Sequence, residues 1–222
     1  MSPRKIVIVG GGAGGFFTAI NAAENAKAHG IAVDIQILEA SSDTLKKVRI
    51  SGGGRCNVTH HLFEPRAFCE RYPRGSRELL SAFQRFQAQD TVEWFKARGV
   101  RLVAEEDGRM FPDTDTSETI INCFQDEVKR LGIQVRLNHK AETVKKMEDG
   151  PFEIQVRMKE NILADAVMIA TGSSQHGYEL AKSLGHTITE LAPSLFSFKI
   201  TDPLIHDVSG LSFENAIVQL TP

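Results

Sequence analysis

The residues best suited to chemistry form a glycine-rich turn, Gly10-x-Gly12-x-x-Gly15, which directly follows an apolar run. In a turn of this spacing, the first glycine permits a tight bend and the second lets the backbone come close to a diphosphate. The third glycine lets the following helix pack closely on the strand, and the N–H groups at the start of that helix attract negative charge. The spacing therefore predicts a dinucleotide-binding turn.

An acidic residue, Glu39, stands at the end of the next apolar run. Its carboxylate can accept hydrogen bonds from the ribose hydroxyls and would repel a 2′-phosphate. The turn and the acid together favour a dinucleotide with an unphosphorylated adenosine ribose over a glycine-rich turn that binds nothing. They do not distinguish FAD from NAD.

A second glycine-rich segment, KVRISGGGRCNVT at residues 47–59, carries several cations and an amide. Glycine-rich backbone can form an anion-binding nest, and the guanidinium of Arg55 can hold a phosphate through two parallel hydrogen bonds. We interpret the segment as a second anion-binding loop. The alternative is a flexible basic loop on the surface.

The elements that position these turns alternate between strands and helices. Apolar runs predict strands at 5–9 and 33–38 around a helix at 13–29, which forms a right-handed β-α-β unit. The apolar run at 166–170, which ends in Thr171-Gly172, predicts another central strand. The predicted fold class is α/β, with a doubly wound parallel sheet of the Rossmann type.

Other segments fill in around that sheet. A helical insertion is predicted at about 62–100, and Asp90 is expected to cap its last helix. Alternating polar and apolar residues predict an antiparallel β-meander. The predicted helices are 64–72, 76–87, 90–98, 117–131 and 178–184, the meander strands are 142–147, 152–158 and 162–165, and a hairpin at 101–104 and 108–111 and a strand at 133–137 complete the set.

Two domains are expected. Residues 1–192 form the dinucleotide-binding domain, and residues 193–222 form the start of an incomplete second domain. The second assignment rests on short β-rich pieces at 196–200 and 216–220, which follow Pro193.

The composition argues against several classes of protein. A chain of 222 residues with 41% hydrophobic and 24% charged residues is typical of a folded globular protein. Its formal net charge of −2 provides no overall attraction to nucleic acid or to anionic membranes, so neither is expected as a partner. Three cysteines without a C-x-x-C pair predict neither a disulfide framework nor a metal site, and they favour a cytoplasmic location. Adjacent His60 and His61 also lack the spacing of metal ligands.

Four motifs together resemble a bacterial family of NAD(P)/FAD-dependent oxidoreductases that includes aminoacetone oxidase. They are the first glycine turn, the K-x-x-I-S-G-G-G-R-C-N sequence at 47–57, the G-R-x-F-P sequence at 108–112 and the A-T-G sequence at 170–172. The resemblance runs from residue 5 to the end of the chain and implies an FAD domain of the glutathione reductase type. Members of that family are nearly twice as long, so this chain would end just inside the substrate domain.

The resemblance also implies roles for individual residues. The first turn and Glu39 would hold the ADP half of FAD, and residues 47–57 would lie along the diphosphate, the ribityl chain and the flavin ring. The backbone of Ala141 would contact adenine, and Thr171-Gly172 would close over the adenosine. The predicted cofactor-binding residues are Gly10, Gly12, Ala13, Gly14, Gly15, Glu39, Ala40, Lys47, Ser51, Gly52, Gly53, Arg55, Cys56, Asn57, Ala141, Thr171 and Gly172.

Three adjacent residues are the candidates for catalysis beside the flavin. Arg55 would stabilise negative charge on the reduced flavin, and Asn57 would orient the loop or donate to a flavin carbonyl. A neighbouring arginine would favour a thiolate at Cys56, but no second cysteine stands near it in the sequence, so a redox-active thiol is disfavoured.

The expected function is that of an FAD-dependent oxidoreductase, or of its N-terminal FAD-binding portion, acting on a small organic substrate. NAD(P)H is an electron donor that the resemblance allows. Two alternatives stay open: a nicotinamide-dependent reductase without bound flavin, and a dinucleotide-binding module without catalytic activity. A tRNA-modifying flavoprotein is disfavoured because acidic residues interrupt its candidate arginines, which are Arg66, Arg71, Arg74, Arg77 and Arg85.

Overall fold

A computed structural model describes residues 2–148 and 150–192 of the chain. In chain order the strands are β1 (Arg4–Val9), β2 (Val33–Leu38), β3 (Thr59–His60), β4 (Leu102–Ala104), β5 (Arg109–Pro112), β6 (Gln134–Arg136), β7 (Ala141–Lys146), β8 (Phe152–Val156), β9 (Ile162–Ala164) and β10 (Ala166–Ile169). The helices are α1 (Ala13–Ala28), α2 (Lys46–Ile50), α3 (Pro65–Cys69), α4 (Ser76–Phe83), α5 (Ala88–Lys96), α6 (Ser117–Arg130) and α7 (Gln175–Ser183), and a 3₁₀ turn spans Ser51–Gly54.

A four-stranded parallel sheet in the order β10-β1-β2-β6 forms the centre of the described fold. Val7 of β1 lies opposite Val167 of β10 and Gln36 of β2. Because parallel strands end at the same edge, the turns that follow β1, β2 and β10 lie close together. The predicted α/β fold with a Rossmann-type parallel sheet is therefore confirmed.

Alternate residues of the sheet face two different layers. Ile8 and Ile37 pack with the α1 and α6 side chains Phe16 and Phe124 in one buried cluster. Val7, Val9 and Leu38 pack on the opposite face against the antiparallel sheet β7-β8-β9, where Val144 and Ile154 are buried. The predicted meander therefore covers one face of the sheet, and helices cover the other.

A short second antiparallel sheet, in the order β3-β5-β4, joins the predicted hairpin to the glycine-rich segment. Leu102 pairs with Pro112 in the hairpin, as that prediction requires, and Thr59 pairs with Met110 to add the third strand. This sheet carries Phe111 beside the segment at 47–59.

Several local predictions differ from the structure, and the helices predicted at 64–72 and 76–87 span only Pro65–Cys69 and Ser76–Phe83. Residues 46–50 form α2, whereas the interpretation of 47–59 as an anion-binding loop predicts no helix there. The helix α5 begins at Ala88, because the side chain of Gln87 accepts the N–H of Gln89 and the side chain of Asp90 accepts the N–H of Gln87; Asp90 is therefore not the cap. The helix α7 starts at Gln175, three residues before the predicted start.

The expected second domain at 193–222, including its strands at 196–200 and 216–220, lies outside the described residues. Within the part of the chain that the structure describes, every helix is too short or too polar to cross a membrane.

Candidate functional site

The first glycine turn is closely packed at its two ends. A Cβ atom on Gly10 would lie 2.8 Å from the carbonyl carbon of Ala170, and the φ of Gly10 is +117°. A Cβ atom on Gly15 would overlap the carbonyl oxygen of Gly10. Neighbouring backbone therefore excludes any side chain at Gly10 and Gly15.

The middle of the same turn is open. A Cβ atom on Gly12 or on Gly14 would meet no protein atom within 4 Å. Gly12 precedes α1, whose first turn has no side-chain cap. The N-terminus of this helix therefore presents N–H groups and a partial positive charge beside unfilled space, which fits a diphosphate.

Glu39 lies beside this turn at the end of β2. Its Oε2 accepts the Gly11 N–H at 2.9 Å, and its Oε1 accepts the Ser41 N–H at 2.8 Å and the Ser41 hydroxyl at 2.7 Å. A carboxylate has about four acceptor positions, so about one stays available for a ribose hydroxyl. Ala40, also predicted as a contact, is exposed next to it.

The glycine-rich segment at 47–57 reaches the same place through Lys47. The Nζ of Lys47 donates to the Oγ of Ser173 at 2.9 Å and lies 3.7 Å from the position that a Cβ on Gly172 would take. This contact brings the ammonium group of α2 to the turn after β10. Three turns and one cation therefore meet at the carboxyl edge of the sheet.

A pocket of about 480 Å³ connects the first turn with the second glycine-rich segment. Its polar side is formed by Ala13, Gly14, Lys47, Ser51 and Asn57. The rest of its lining is mainly apolar and consists of Phe17, Val48, Cys56, Val58, Phe86, Thr91, Phe95, Ile120 and Phe124. The pocket thus offers a few polar groups and a mainly apolar lining against which a planar ring system can pack.

Comparison with known proteins agrees with the observed fold. Residues 4–214 match the family described as the HI0933-like protein Rossmann domain. The chain belongs to this family. This result confirms the broad family expectation, whereas aminoacetone oxidase stays a prediction from resemblance.

Two curated proteins are similar to this HI0933-like chain over most of its length. The chain is 29% identical over 98% of its length to the 3-dehydro-bile acid delta(4,6)-reductase of Clostridium scindens, of which it covers 53%. It is 25% identical over 93% of its length to the ribosomal RNA dihydrouridine synthase of Escherichia coli, of which it covers 50%. The chain thus spans about half the length of these curated relatives.

Two solved structures share the fold of the HI0933-like domain. THI4 of Thermovibrio ammonificans superposes with a TM-score of 0.53 at 14% identity, over 83% of this chain and 64% of that one. The 3-ketosteroid-delta4-(5alpha)-dehydrogenase of Rhodococcus jostii RHA1 gives a TM-score of 0.53 at 13% identity, over 75% and 48%. At such identities the likeness concerns the fold alone.

Arg55 of the HI0933-like domain does not point into the pocket. Its guanidinium donates to the Oε1 of Glu105 at 2.8 and 2.5 Å, lies 3.4 Å from the Oδ1 of Asp115, and stacks 3.9 Å from the ring centre of Phe111. The predicted phosphate grip is therefore corrected: two carboxylates and an aromatic ring hold the charge. The second segment contributes Lys47 to the crevice instead.

Cys56 lines the pocket as a buried thiol with a backbone φ of +65°. Burial raises its pKa, and a hydrogen bond with Ser51 opposes the shift without cancelling it. The thiolate, which the sequence disfavoured, is also disfavoured by the structure, because loss of water opposes the charged form and Glu105 already pairs with the neighbouring Arg55.

Ala141 and Thr171, both predicted to contact the cofactor, already contact α7 of the HI0933-like domain. The carbonyl oxygen of Ala141 lies 2.7 Å from the Nε2 of His176, which donates in the tautomer that carries its proton there. The Thr171 side chain packs against Gly177 of α7, where an added Cβ would overlap its Oγ1. Ala141 and Thr171 thus help dock α7, and their contacts to adenosine stay predictions.

Several residues of the site carry no recognisable signal in the sequence. Ser41 orients Glu39, Ser173 receives Lys47, and the Leu45 N–H donates to the Gly11 carbonyl at 2.8 Å from a left-handed φ of 57°. The position of Ser41, a polar residue two positions after Glu39, is the one feature of the sequence that could have indicated its contact with Glu39. Among the described residues, no group of three His, Cys, Asp or Glu side chains is arranged to hold a metal ion.

Proposed function

We propose that this chain is the FAD-binding portion of an oxidoreductase that acts on a small organic substrate. The observation that carries the proposal is the pocket shared by the open N-terminus of α1 and by Lys47, Ser51 and Asn57. A Rossmann turn alone suits many dinucleotides. An apolar pocket that continues from the diphosphate position suits a dinucleotide with a large planar ring, which favours FAD over NAD.

In this proposal different residues of the chain bind different parts of the cofactor. The N–H groups of α1 and the ammonium group of Lys47 balance the two negative charges of the diphosphate. The remaining acceptor position of Glu39 takes a ribose hydroxyl. Asn57 and the protonated thiol of Cys56 line the ring position, where they exclude water and can donate hydrogen bonds. The bound flavin supplies the two-electron chemistry.

We further propose that the whole protein reduces a carbon–carbon double bond in a ring, with NAD(P)H as the electron donor. The support is that the two curated relatives are a delta(4,6)-reductase and a dihydrouridine synthase, names that both describe a ring gaining hydrogen. Since the chain spans about half of each relative, the substrate side of this reaction belongs to the longer protein.

A small substrate is favoured over RNA by the charges of the helical insertion. Arg71 and Arg77 are exposed there, but Glu70 and Glu78 stand directly beside them in the sequence. Such alternation weakens a continuous attraction to phosphates. A cytoplasmic location stays part of the proposal, supported by three cysteines that are buried and unbonded.

The experiment is reconstitution of the purified chain with FAD, followed by gel filtration and visible spectroscopy. The expected result is a yellow protein that releases FAD on denaturation. Retention of NAD without flavin would instead favour the nicotinamide-dependent reductase. If the full-length protein holds FAD but no electron donor reduces that flavin, the non-catalytic module is the better assignment.

A further inference from the structure

A second pocket, of about 530 Å³, lies on the meander face of the parallel sheet. It is bounded by Gln36 of β2, Arg136 of β6 and the turn between β8 and β9. It shares no lining residue with the pocket beside the glycine turns. Any ligand that it binds is therefore separate from the proposed flavin.

The charges that line this pocket are mainly positive. Lys5, Arg136 and Lys159 line it, whereas Glu160 is its single acidic residue. Within residues 2–148 and 150–192, no carboxylate lies within 4 Å of the charged nitrogens of Lys5, Arg136 or Lys159. Because their charges are unpaired and share one concavity, they attract an anion.

The floor of the pocket contains a buried amide with an unused acceptor. Gln36 is 3% exposed, and its Nε2 donates to the Oδ2 of Asp34 at 3.2 Å. Its Oε1 accepts no hydrogen bond from any described residue. If the amide were rotated by half a turn, this oxygen would face the carboxylate of Asp34, which would repel it. The unpaired atom is therefore the oxygen, an acceptor. Buried acceptors are normally satisfied, so the site lacks a donor.

We propose that this pocket binds a small phosphate monoester whose organic part carries a hydroxyl or N–H donor, such as a phosphorylated sugar. A phosphate monoester carries nearly two negative charges, which Lys5, Lys159 and Arg136 can balance. The Nη2 of Arg136 also donates to the Oε1 of Gln134 at 3.3 Å, so its remaining N–H groups would hold the phosphate. The Oε1 of Gln36 has almost no accessible surface, so its side chain must turn toward the pocket before a donor on the organic part can satisfy it. The volume lies in the range of small-ligand sites.

The test is calorimetric titration with ribose 5-phosphate and, separately, with inorganic phosphate. It uses the FAD-saturated protein and also Gly12→Val, in which a side chain fills the diphosphate position, so that neither preparation can take phosphate at the glycine turn. We expect saturable binding of ribose 5-phosphate in both and weaker binding of inorganic phosphate. Absence of ribose 5-phosphate binding, or tighter binding of inorganic phosphate, would overturn the proposal.

Two substitutions locate the ligand. Arg136→Gln should weaken ribose 5-phosphate binding about tenfold or more, whereas the matched control Arg101→Gln, which directly precedes β4 and does not line the pocket, should leave it unchanged. Gln36→Met keeps the side-chain length but removes the acceptor, and it should abolish the preference for ribose 5-phosphate over inorganic phosphate without lowering the melting temperature. Equal binding by Arg136→Gln and Arg101→Gln, or an unchanged preference in Gln36→Met, would contradict the assignment.

Discussion

Individual glycines in the two glycine-rich regions are required for different reasons, and each region contains both kinds, since Gly10 has a φ of +117° and a Cβ on Gly52 would lie 2.8 Å from the backbone nitrogen of Asn57. In the turn at 10–15, a side chain on Gly15 would collide with the backbone of Gly10, so close packing demands the glycine. In the loop at 51–54, a side chain on Gly53 would meet no atom within 4 Å, but its φ of +69° lies in the left-handed region. Gly15 is therefore required for close packing of α1 on β1, whereas Gly53 is required for the left-handed backbone conformation of the loop.

The two regions also treat charge differently. The first turn contains no charged side chain and attracts an anion through helix N–H groups. The second contains Lys47, which points to the crevice, and Arg55, which pairs with Glu105 on the other side of the loop. A cation in a glycine-rich loop is therefore not by itself a ligand for phosphate, because nearby carboxylates compete for it.

The largest expected effect is a loss of stability when the close packing of the first glycine turn is disrupted. Gly15→Ala should lower the free energy of unfolding by about 3 kcal/mol, because its Cβ cannot coexist with the Gly10 carbonyl. The neighbouring Gly14→Ala enters open space and should change stability by less than about 1 kcal/mol, toward a more stable helix. Urea unfolding of the two variants measures the difference; similar losses in both would show that helix geometry matters rather than the Gly10 contact.

The second largest expected effect is on FAD binding, and it tests a glycine of the same turn that is not needed for stability. Gly12→Val should weaken FAD binding about 100-fold, near 2.7 kcal/mol, because its side chain occupies the proposed diphosphate position, while its Cβ meets no protein atom within 4 Å. Unfolding should change little. The control Gly150→Val places the same side chain in another open, solvent-accessible turn and should bind FAD normally. A Gly12→Val protein that still binds FAD tightly would remove the diphosphate from this turn.

A third experiment compares the two cations of the second segment. Lys47→Gln should weaken FAD binding about tenfold through loss of a charge-assisted contact. Arg55→Gln should change FAD affinity less than about twofold, since its guanidinium faces Glu105 and Phe111. Fluorescence titration with FAD measures both variants. A larger effect from Arg55→Gln would restore the phosphate role predicted from the sequence.

The smallest effect concerns the thiol of Cys56. Since burial raises its pKa, the thiolate fraction at pH 8 should be lower in the folded protein than in the unfolded chain. Alkylation of Cys56 in a Cys69→Ser/Cys123→Ser background should therefore be slower before denaturation than after it. Below the ordinary thiol pKa this group does not affect stability, and above that pH the unfolded chain loses its proton first, so stability falls with rising pH. Alkylation of the folded protein at the unfolded rate would contradict a buried, protonated thiol.

Much of the fold could be predicted because its signals are local. The apolar runs of β1, β2 and β10 and the alternation of the meander each lie within a few residues, and the strands formed close to their predicted ranges. The start of α5 was misplaced because Gln87 serves as a cap, a role in which Asp, Asn, Ser and Thr are far more common. The helix α2 was missed because it has five residues and follows Leu45, whose left-handed φ no pattern announces.

The sequence by itself determined the Rossmann turn and its acid, because the positions of Gly10, Gly15 and Glu39 are fixed by the geometry of one β-α-β unit. Only the tertiary structure decided the direction of each side chain in the second segment. Lys47 and Arg55 are both cations on one glycine-rich stretch, yet Ser173 and Glu105, distant along the chain, determine where each one points. Electrostatic partners act through space, and a linear sequence does not record which of them the fold brings within hydrogen-bonding distance.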